Sequence, residues 1–278
     1  MSEEKLRLLL NKLQASRQTR KEFLDDYPVQ LMTVREQIGD VPLIHGTSPQ
    51  NLINIWNVKA LRSREQLGKA ELDHQRCFNT YGAVYASVGV MYPQRQVAIA
   101  FSPSIEEDVD MRVDASPWDT GSFYKQVASS IGLKTEEDRL TFFREHTLDA
   151  PEYREYLVDY VATCFQSAED YLRHGDYKYP DPAGVMAVNP NNSFLRVFEV
   201  RSYPQLNLRP EKIEVVFLPS PISSRELLQV ASEMRSAGIN IEYYGQRRTG
   251  QRETNATSAD LQSDVTDWIC KRAMQRAI

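Results

Sequence analysis

The spacing of apolar residues divides much of the chain into short strands and helices. Strands are predicted over 42–45, 83–87, 96–101, 193–203, 212–221 and 239–244, and helices over 49–57 and 223–238. The clearest strand is "QVAIAFSP", a compact apolar run between turn-forming residues, which is typical of a buried strand. The second helix is bounded by a capping box of Ser223 and Glu226 and by Gly238.

The segment 103–185 has a different pattern. It is acidic and rich in helix-forming residues, with an apolar stripe that runs from Tyr153 to Leu172. We interpret it as a helical insertion. The ends of the chain are also helical in pattern, because residues 3–25 and the last residues each carry one apolar stripe. The N-terminal helix either packs on the body or meets a partner.

These patterns predict three units: an N-terminal helical segment (1–40), a central domain (41–244) with the insertion at about 103–185, and a polar linker with a C-terminal helix (245–278). The 278 residues are 41% hydrophobic, enough for a sizeable core. The net charge of −5 disfavours a long nucleic-acid tract but leaves a local basic patch open.

Cysteine usage and hydropathy bear on the cellular location. The three cysteines are far apart and lack metal-ligand spacing, which favours a reducing compartment and no metal. No apolar stretch reaches the roughly 18 residues of a membrane span, and the charged start of the sequence does not resemble a signal peptide. We expect a cytoplasmic protein without a membrane partner.

Three stretches carry candidate chemistry: "HGT" (45–47), "YGAVYAS" (81–87) and "EKIEVVFLP" (211–219). The first ends a predicted strand and precedes a helix that starts at Ser48 and Pro49. Gly46 has no Cβ, so a ligand can approach its backbone closely. The order of these stretches resembles the ADP-ribosyltransferase superfamily, in the His-Tyr-Glu branch of diphtheria-toxin-like and poly-ADP-ribose-polymerase-like enzymes. The resemblance covers roughly residues 41–102 and 193–221.

The resemblance implies an α+β fold with an ADP-ribosyltransferase-like core, in which two small packed antiparallel sheets enclose a cleft for NAD. A helical insertion and terminal helices would decorate this core. It also implies mono-ADP-ribosyl transfer from NAD, which is the substrate, with release of nicotinamide. Carried over to this sequence, the catalytic residues would be His45, Tyr85 and Glu214.

The same resemblance implies a set of NAD-binding residues: His45, Gly46, Thr47, Arg62, Tyr85 and Tyr92. His45 would bond a ribose hydroxyl, and the tyrosines would stack on the pyridinium ring. Glu214 would hold the ribose and stabilise its developing charge. Each assignment has an alternative, because His45 and Tyr85 also suit structural roles and Arg62 an exposed loop. Glu211 competes with Glu214.

The acceptor is less defined by the sequence. "DASPWDTGSFYK" (114–125) places Trp118, Asp119 and Phe123 in a polar loop, which suits either a substrate-binding surface or anchors of the insertion. The acceptor would be RNA, DNA or protein. In overall plan the chain resembles the nucleic-acid-modifying members such as the DarT group and the CmdT type, which implies an intracellular toxin or phage-defence effector with an antitoxin or chaperone partner.

Two other functions remain open at this point. An NAD-dependent RNA 2′-phosphotransferase shares the fold and would recruit His74 and Arg62 around a phosphate. A catalytically inactive module that binds a partner through the N-terminal helix is the other. Zinc and hydrolase chemistry lack their motifs in this sequence.

Overall fold

The computed structural model of the chain describes residues 28–92, 94–107, 111–129, 131–164, 167–173, 198–245 and 256–275. The predicted helix over 3–25 and most of the predicted linker lie outside these residues. The strands are β1 (Leu43–Thr47), β2 (Ala60–Arg62), β3 (Val84–Val88), β4 (Val97–Phe101), β5 (Arg112–Ser116), β6 (Leu148–Asp149), β7 (Glu199–Tyr203), β8 (Gln205–Asn207), β9 (Ile213–Pro219) and β10 (Asn240–Tyr244).

The helices lie between and after these strands. They are α1 (Pro28–Ile38), α2 (Pro49–Val58), α3 (Asp73–Phe78), α4 (Thr120–Ser122), α5 (Glu136–His146), α6 (Ala150–Cys164), α7 (Ala168–Leu172), α8 (Arg225–Ser236) and α9 (Ser258–Gln275). Short 3-10 turns cover Pro103–Glu107 and Pro210–Lys212, and a π-helical turn covers Phe123–Val127. Within the described ranges, none of the helices has the length and apolarity needed to cross a bilayer.

Among the described residues, eight strands form one sheet in the order β10-β9-β4-β1-β3-β7-β5-β6, and β2 pairs with β8 in a small second sheet. Neighbouring strands are antiparallel, except that β9 and β10 are parallel. The predicted α+β class is thus confirmed. The segment 103–185 contributes strands β5 and β6 to the large sheet as well as helices, and the proposed division into domains stays a prediction.

Local sequence explains the burial of β4 and the ends of helices α2 and α8. All five residues of β4 are buried, so the "VAIAF" run is covered on both faces of the sheet. Ser48 caps α2 by accepting from the Asn51 amide (3.3 Å), and Pro49 starts the helix. The helix ends at Lys59, which adopts the left-handed conformation. At α8, the cap is Ser224 rather than the predicted Ser223.

The buried apolar residues that the structure describes form two clusters. The larger lies between the sheet and helices α1, α2, α6, α8 and α9. The smaller is aromatic and holds Trp118, Phe123, Phe142 and Phe143 beside Phe78 of α3. Stacked rings dominate the smaller cluster, with centroids 5.0 Å apart for Trp118 and Phe123. This cluster supports the loop that follows β5.

Candidate active site

A cavity of about 1060 Å³ opens where β1 and β3 separate. Its wall includes His45, Gly46 and Thr47 of β1, Tyr85 of β3 and Glu199 of β7. β1, β3 and β7 are neighbours in the sheet. The cavity therefore collects residues from three adjacent strands that are far apart in sequence.

The separation of β1 from β3 leaves a gap in the sheet. β1 pairs with β4 from Leu43 to Thr47, but in the described part of the sheet it pairs with β3 only at Leu43 and Ile44. The Thr47 carbonyl accepts from Gln96, ahead of β4, and the Ile44 carbonyl accepts from Ser87 of β3. Along a strand, the amide and carbonyl of successive residues point alternately toward the two neighbouring strands. Thr47 faces β4, so the amide and carbonyl of Gly46 point the other way, into the gap beside β3.

Gly46 is required at this point for a steric reason. A Cβ at Gly46 would lie 2.6 Å from Cγ of Arg95, whose side chain crosses there. Any larger residue would have to displace this arginine, which also lines the cavity. The glycine therefore keeps a peptide donor and acceptor accessible at the wall.

His45 bridges the gap with its side chain. Its Nδ1 lies 2.8 Å from the Tyr85 carbonyl, and since a carbonyl only accepts, Nδ1 carries the proton. Burial, together with the charge of Arg95, lowers the pKa of His45 to about 4, against the opposite effect of this hydrogen bond. The ring is therefore neutral at pH 7, and its Nε2 is left as an acceptor.

Glu199 is buried, at 3% exposure, and surrounded by donors. It accepts hydrogen bonds from the Thr120 hydroxyl (2.6 Å), the Tyr92 hydroxyl (2.9 Å) and Arg201 Nη1 (3.2 Å). Burial, with the negative charge of Asp119, raises the pKa of Glu199 to about 7, while Arg201 and the hydrogen bonds oppose this rise. A carboxylate poised between its two protonation states near neutral pH is a frequent feature of active sites.

Two tyrosines and a histidine form the aromatic part of the wall. The Tyr85 hydroxyl bonds to Thr80 Oγ1 (2.8 Å), which fixes its ring. His74 of α3 meets the Tyr85 ring edge-on, with centroids 6.5 Å apart. Tyr92 is held by its bond to Glu199. These rings offer a surface on which a flat cationic ring can stack.

The remaining wall is basic, despite the net negative charge of the chain. Within the described lining, basic residues outnumber the acidic Asp119 and Glu199. They are Arg62, Arg64, Lys69, Arg95 and Lys125. Arg64 is fixed by two bonds from its guanidinium to the Ala70 carbonyl (3.1 and 2.8 Å). Such a lining suits phosphate groups.

The structure brings together most of the residues proposed from the sequence. His45, Gly46, Thr47, Arg62, Tyr85, Tyr92 and Asp119 all line the cavity. Trp118 and Phe123 do not: they are 2% and 0% exposed in the aromatic cluster, so they correspond to the alternative role as anchors. Phe123 stacks on Phe142 of α5 and Trp118 lies tilted against the same ring, so neither side chain is part of the described lining.

Glu214, the glutamate predicted from the sequence, lies away from the cavity. Its carboxylate forms a paired contact with the guanidinium of Arg272 in α9 (2.6 and 2.5 Å). Glu211, the alternative, sits in the 3-10 turn before β9 and is likewise absent from the described lining. Within the described lining, the glutamate is Glu199.

Sequence reasoning missed Glu199 and Arg201, and it considered His74 only for the alternative phosphotransferase. A signal for the first two was present in "VFEVRSY" (197–203), where Glu199 and Arg201 alternate with apolar residues in a buried strand. Charged residues are rarely buried without a partner or a function. Two charged residues on one face of a buried strand were therefore candidates for functional residues.

His45 and Glu199 should give the protein opposite pH dependences of stability. Glu199 has a pKa of about 7 in place of 4.5, so the folded state binds its proton more tightly and stability falls as pH rises through this range. His45 has a pKa of about 4 in place of 6.5, so its contribution rises with pH over that range. Each difference corresponds to about 3 kcal/mol.

We therefore expect the free energy of unfolding of Glu199→Gln, measured in urea, to rise from pH 4.5 to 6.5, because His45 remains. The free energy of unfolding of His45→Gln should fall over the same range, because Glu199 remains. The wild type should vary less than either variant, since the two slopes oppose each other. Parallel slopes in both variants would contradict the assigned protonation states.

Comparisons with known proteins give a weak likeness. None of the protein-family models and none of the curated proteins matches the chain. Among solved structures, the chain is similar to Thermus sp. 2.9 DarT in complex with NAD+, at 11% identity and a TM-score of 0.43, over 73% of this chain and 94% of that chain. The same DarT with ADP-ribosylated ssDNA gives 10% identity and a TM-score of 0.43, over 73% and 93%. With carba-NAD+, the values are 12%, 0.37, 73% and 94%.

Proposed function

We propose that the protein is an NAD-dependent ADP-ribosyltransferase that acts on a macromolecular acceptor and releases nicotinamide. The observation that carries the proposal is the convergence of His45, Tyr85 and Glu199 on three adjacent strands, beside the open backbone of Gly46. DarT, the weak structural neighbour, adds no weight at its TM-score, so the proposal rests on the cavity.

The open backbone of Gly46 fits the nicotinamide end of NAD. A carboxamide has one acceptor and two donors, and Gly46 offers a matching amide and carbonyl toward the gap. Tyr85 and Tyr92 would receive the pyridinium ring, because the face of an aromatic ring attracts a cation. The Nε2 of His45 would accept a hydrogen bond from a ribose hydroxyl.

Glu199 supplies the chemistry at the ribose. When the bond from C1′ to the pyridinium nitrogen breaks, its electron pair stays on nitrogen, nicotinamide leaves neutral, and positive charge develops on the ribose ring. Ionised Glu199 would accept a hydrogen bond from the 2′-hydroxyl and stabilise this charge. The acceptor's nucleophilic atom then bonds to C1′, and its proton passes to water.

The basic wall favours nucleic acid as the acceptor. NAD carries two phosphates, whereas the described wall carries five cationic side chains: Arg62, Arg64, Lys69, Arg95 and Lys125. The cations that NAD does not use would contact the phosphates of a bound strand. We also propose that the protein acts as a toxin or defence effector and has an inhibitory partner.

A second candidate is supported by one observation. His74 and Arg62, which an RNA 2′-phosphotransferase would recruit, both line the cavity. Such an enzyme also consumes NAD and releases nicotinamide. It differs in the fate of ADP-ribose, which ends in a small molecule rather than on the acceptor.

One experiment separates these functions. The purified chain is incubated with NAD labelled in the adenylate half, together with single-stranded DNA, RNA, 2′-phosphorylated RNA or cell lysate, and nicotinamide is measured in parallel. We expect nicotinamide release and label that is retained on a macromolecule and lost on DNase or RNase treatment. Protease-sensitive label would change the acceptor class to protein.

Two other outcomes would overturn the proposal. Label found only in a small molecule, and only with 2′-phosphorylated RNA, would indicate the phosphotransferase. Intact NAD under every condition would indicate a module without catalytic activity.

A further inference from the structure

Arg201 is a charged residue in an unusual place. It lies on β7, fully buried at 0% exposure, and it is not part of the described cavity wall. Its Nε donates to Asp114 (2.6 Å), and its Nη1 donates to Ser116 (2.7 Å) and to Glu199 (3.2 Å). The guanidinium also lies over the Phe143 ring, 4.7 Å from its centroid.

The register of the sheet fixes this arrangement. Arg201 pairs with Tyr85 of β3 on one side and with Asp114 of β5 on the other. Glu199 lies two residues earlier on β7, so the two side chains share a face. Paired residues of neighbouring strands also share a face, which places the guanidinium beside Glu199 and behind the wall formed by Tyr85.

Stability alone does not account for this cluster. Removing a guanidinium and two carboxylates from water is expensive, and buried ion pairs are often no more stable than apolar residues of similar size. The neighbouring aromatic cluster shows that this region of the chain can pack apolar residues. A role in the adjacent site explains the charges better.

We propose that Arg201 is a positioning residue that holds the carboxylate of Glu199 in place and supplies the positive charge opposite it. Asp114 and Ser116 in turn fix the guanidinium. Arg201 acts only through Glu199, from behind the cavity wall. The inference rests on the proposed function, because Glu199 is assigned its role there.

The electrostatic surroundings of Glu199 agree with this role. The groups that face it are Asp119, the hydroxyls of Tyr85, Tyr92 and Thr120, and Arg201, with Asp114 and Tyr203 on the far side of the guanidinium. Burial and Asp119 raise the pKa of Glu199, and Arg201 lowers it. Loss of Arg201 would therefore leave the carboxyl protonated at neutral pH.

The test compares Arg201→Met with Arg112→Met. Arg112 also contacts Asp114 (2.8 Å) but is largely exposed and makes no described contact with Glu199. We expect the acid limb of kcat for nicotinamide release to move up by roughly 1–3 pH units in Arg201→Met, the range for an opposite charge at close distance. KM for NAD should change less than kcat, and Arg201→Lys should restore part of the activity. An acid limb that stays in place would overturn the inference.

A direct titration keeps the result independent of activity. The Glu199 carboxyl carbon is followed by NMR in glutamate-labelled protein and assigned with Glu199→Gln. An upward pKa shift in Arg201→Met, and none in Arg112→Met, supports the inference, whereas equal titrations overturn it. If the wild type releases no nicotinamide, the proposed function fails, and the titration still decides whether Arg201 tunes this carboxyl.

Arg201→Met leaves Asp114 buried without its main partner, so a second variant is needed in case this one does not fold. The double variant Asp114→Asn with Arg201→Met removes both charges and keeps the shapes similar. The same upward shift of the Glu199 titration is expected in this variant. An unshifted titration in a folded double variant would overturn the inference as well.

Discussion

Glu199→Gln is expected to lower the rate of nicotinamide release from NAD by on the order of 10²–10³-fold, comparable to removing one charge-stabilising group from an active site. The change keeps the size of the side chain and the acceptor for Thr120, but it removes the negative charge that would face the ribose. The loss corresponds to about 3–4 kcal/mol of transition-state stabilisation. Chromatographic measurement of nicotinamide at saturating NAD checks it.

Glu214→Gln is the matched control. It makes the same chemical change on β9, where the carboxylate pairs with Arg272 and does not line the cavity. We expect near wild-type nicotinamide release, with some loss of stability because the ion pair is partly buried. If Glu214→Gln lost activity and Glu199→Gln kept it, the choice of glutamate made from the sequence would be restored.

Trp118→Ala is expected to lower the free energy of unfolding by about 3–5 kcal/mol, the usual range for removing a large buried aromatic residue. Trp118 is 2% exposed and contacts the rings of Phe123, Phe142 and His146. Urea denaturation followed by circular dichroism measures the change. Leu228→Ala serves as the comparison, because Leu228 is 51% exposed and should change stability by less than about 0.5 kcal/mol.

A different set of results would assign Trp118 to the acceptor surface. A Trp118→Ala variant with wild-type stability and nicotinamide release, but without transfer to the acceptor, would show that the ring contacts the acceptor. A variant that is destabilised but active at low temperature would agree with its place in the aromatic cluster.

Local patterns were sufficient for β4, for β9 and for the strand end that carries His45. The run "QVAIAFSP" contains β4, and the apolar run after Glu214 corresponds to β9, because both strands are buried and bounded by turn residues. His45 was recognisable as the polar residue at the end of an apolar strand, followed by glycine and a helix cap. These features are written within a few neighbouring residues.

The glutamate could not be chosen on local grounds. Glu199 and Glu214 both stand at the start of strands with apolar neighbours. Only the order of the sheet separates them, since β7 lies beside β3 whereas β9 lies on the far side of β4. Strand order depends on contacts between distant segments, and a local pattern does not contain it.

The segment after β5 was ambiguous for a related reason. Trp118 and Phe123 alternate with polar and small residues, as they would in a binding loop. Their burial is decided by α5, which brings Phe142 and Phe143 against them. Asp119, between them, faces the cavity and completes the same turn by accepting from Ser122.

The gap beside Gly46 can also be understood as an unfilled rung of the β-ladder. A peptide unit and a primary carboxamide carry the same donor and acceptor, so a flat ring bearing a carboxamide can occupy that rung as a short substitute for a strand. The imidazole of His45, bonded to the Tyr85 carbonyl, sets the width of the opening before any ligand arrives. Under the proposed function, recognition of the nicotinamide amide would extend the same backbone pairing that folds the sheet.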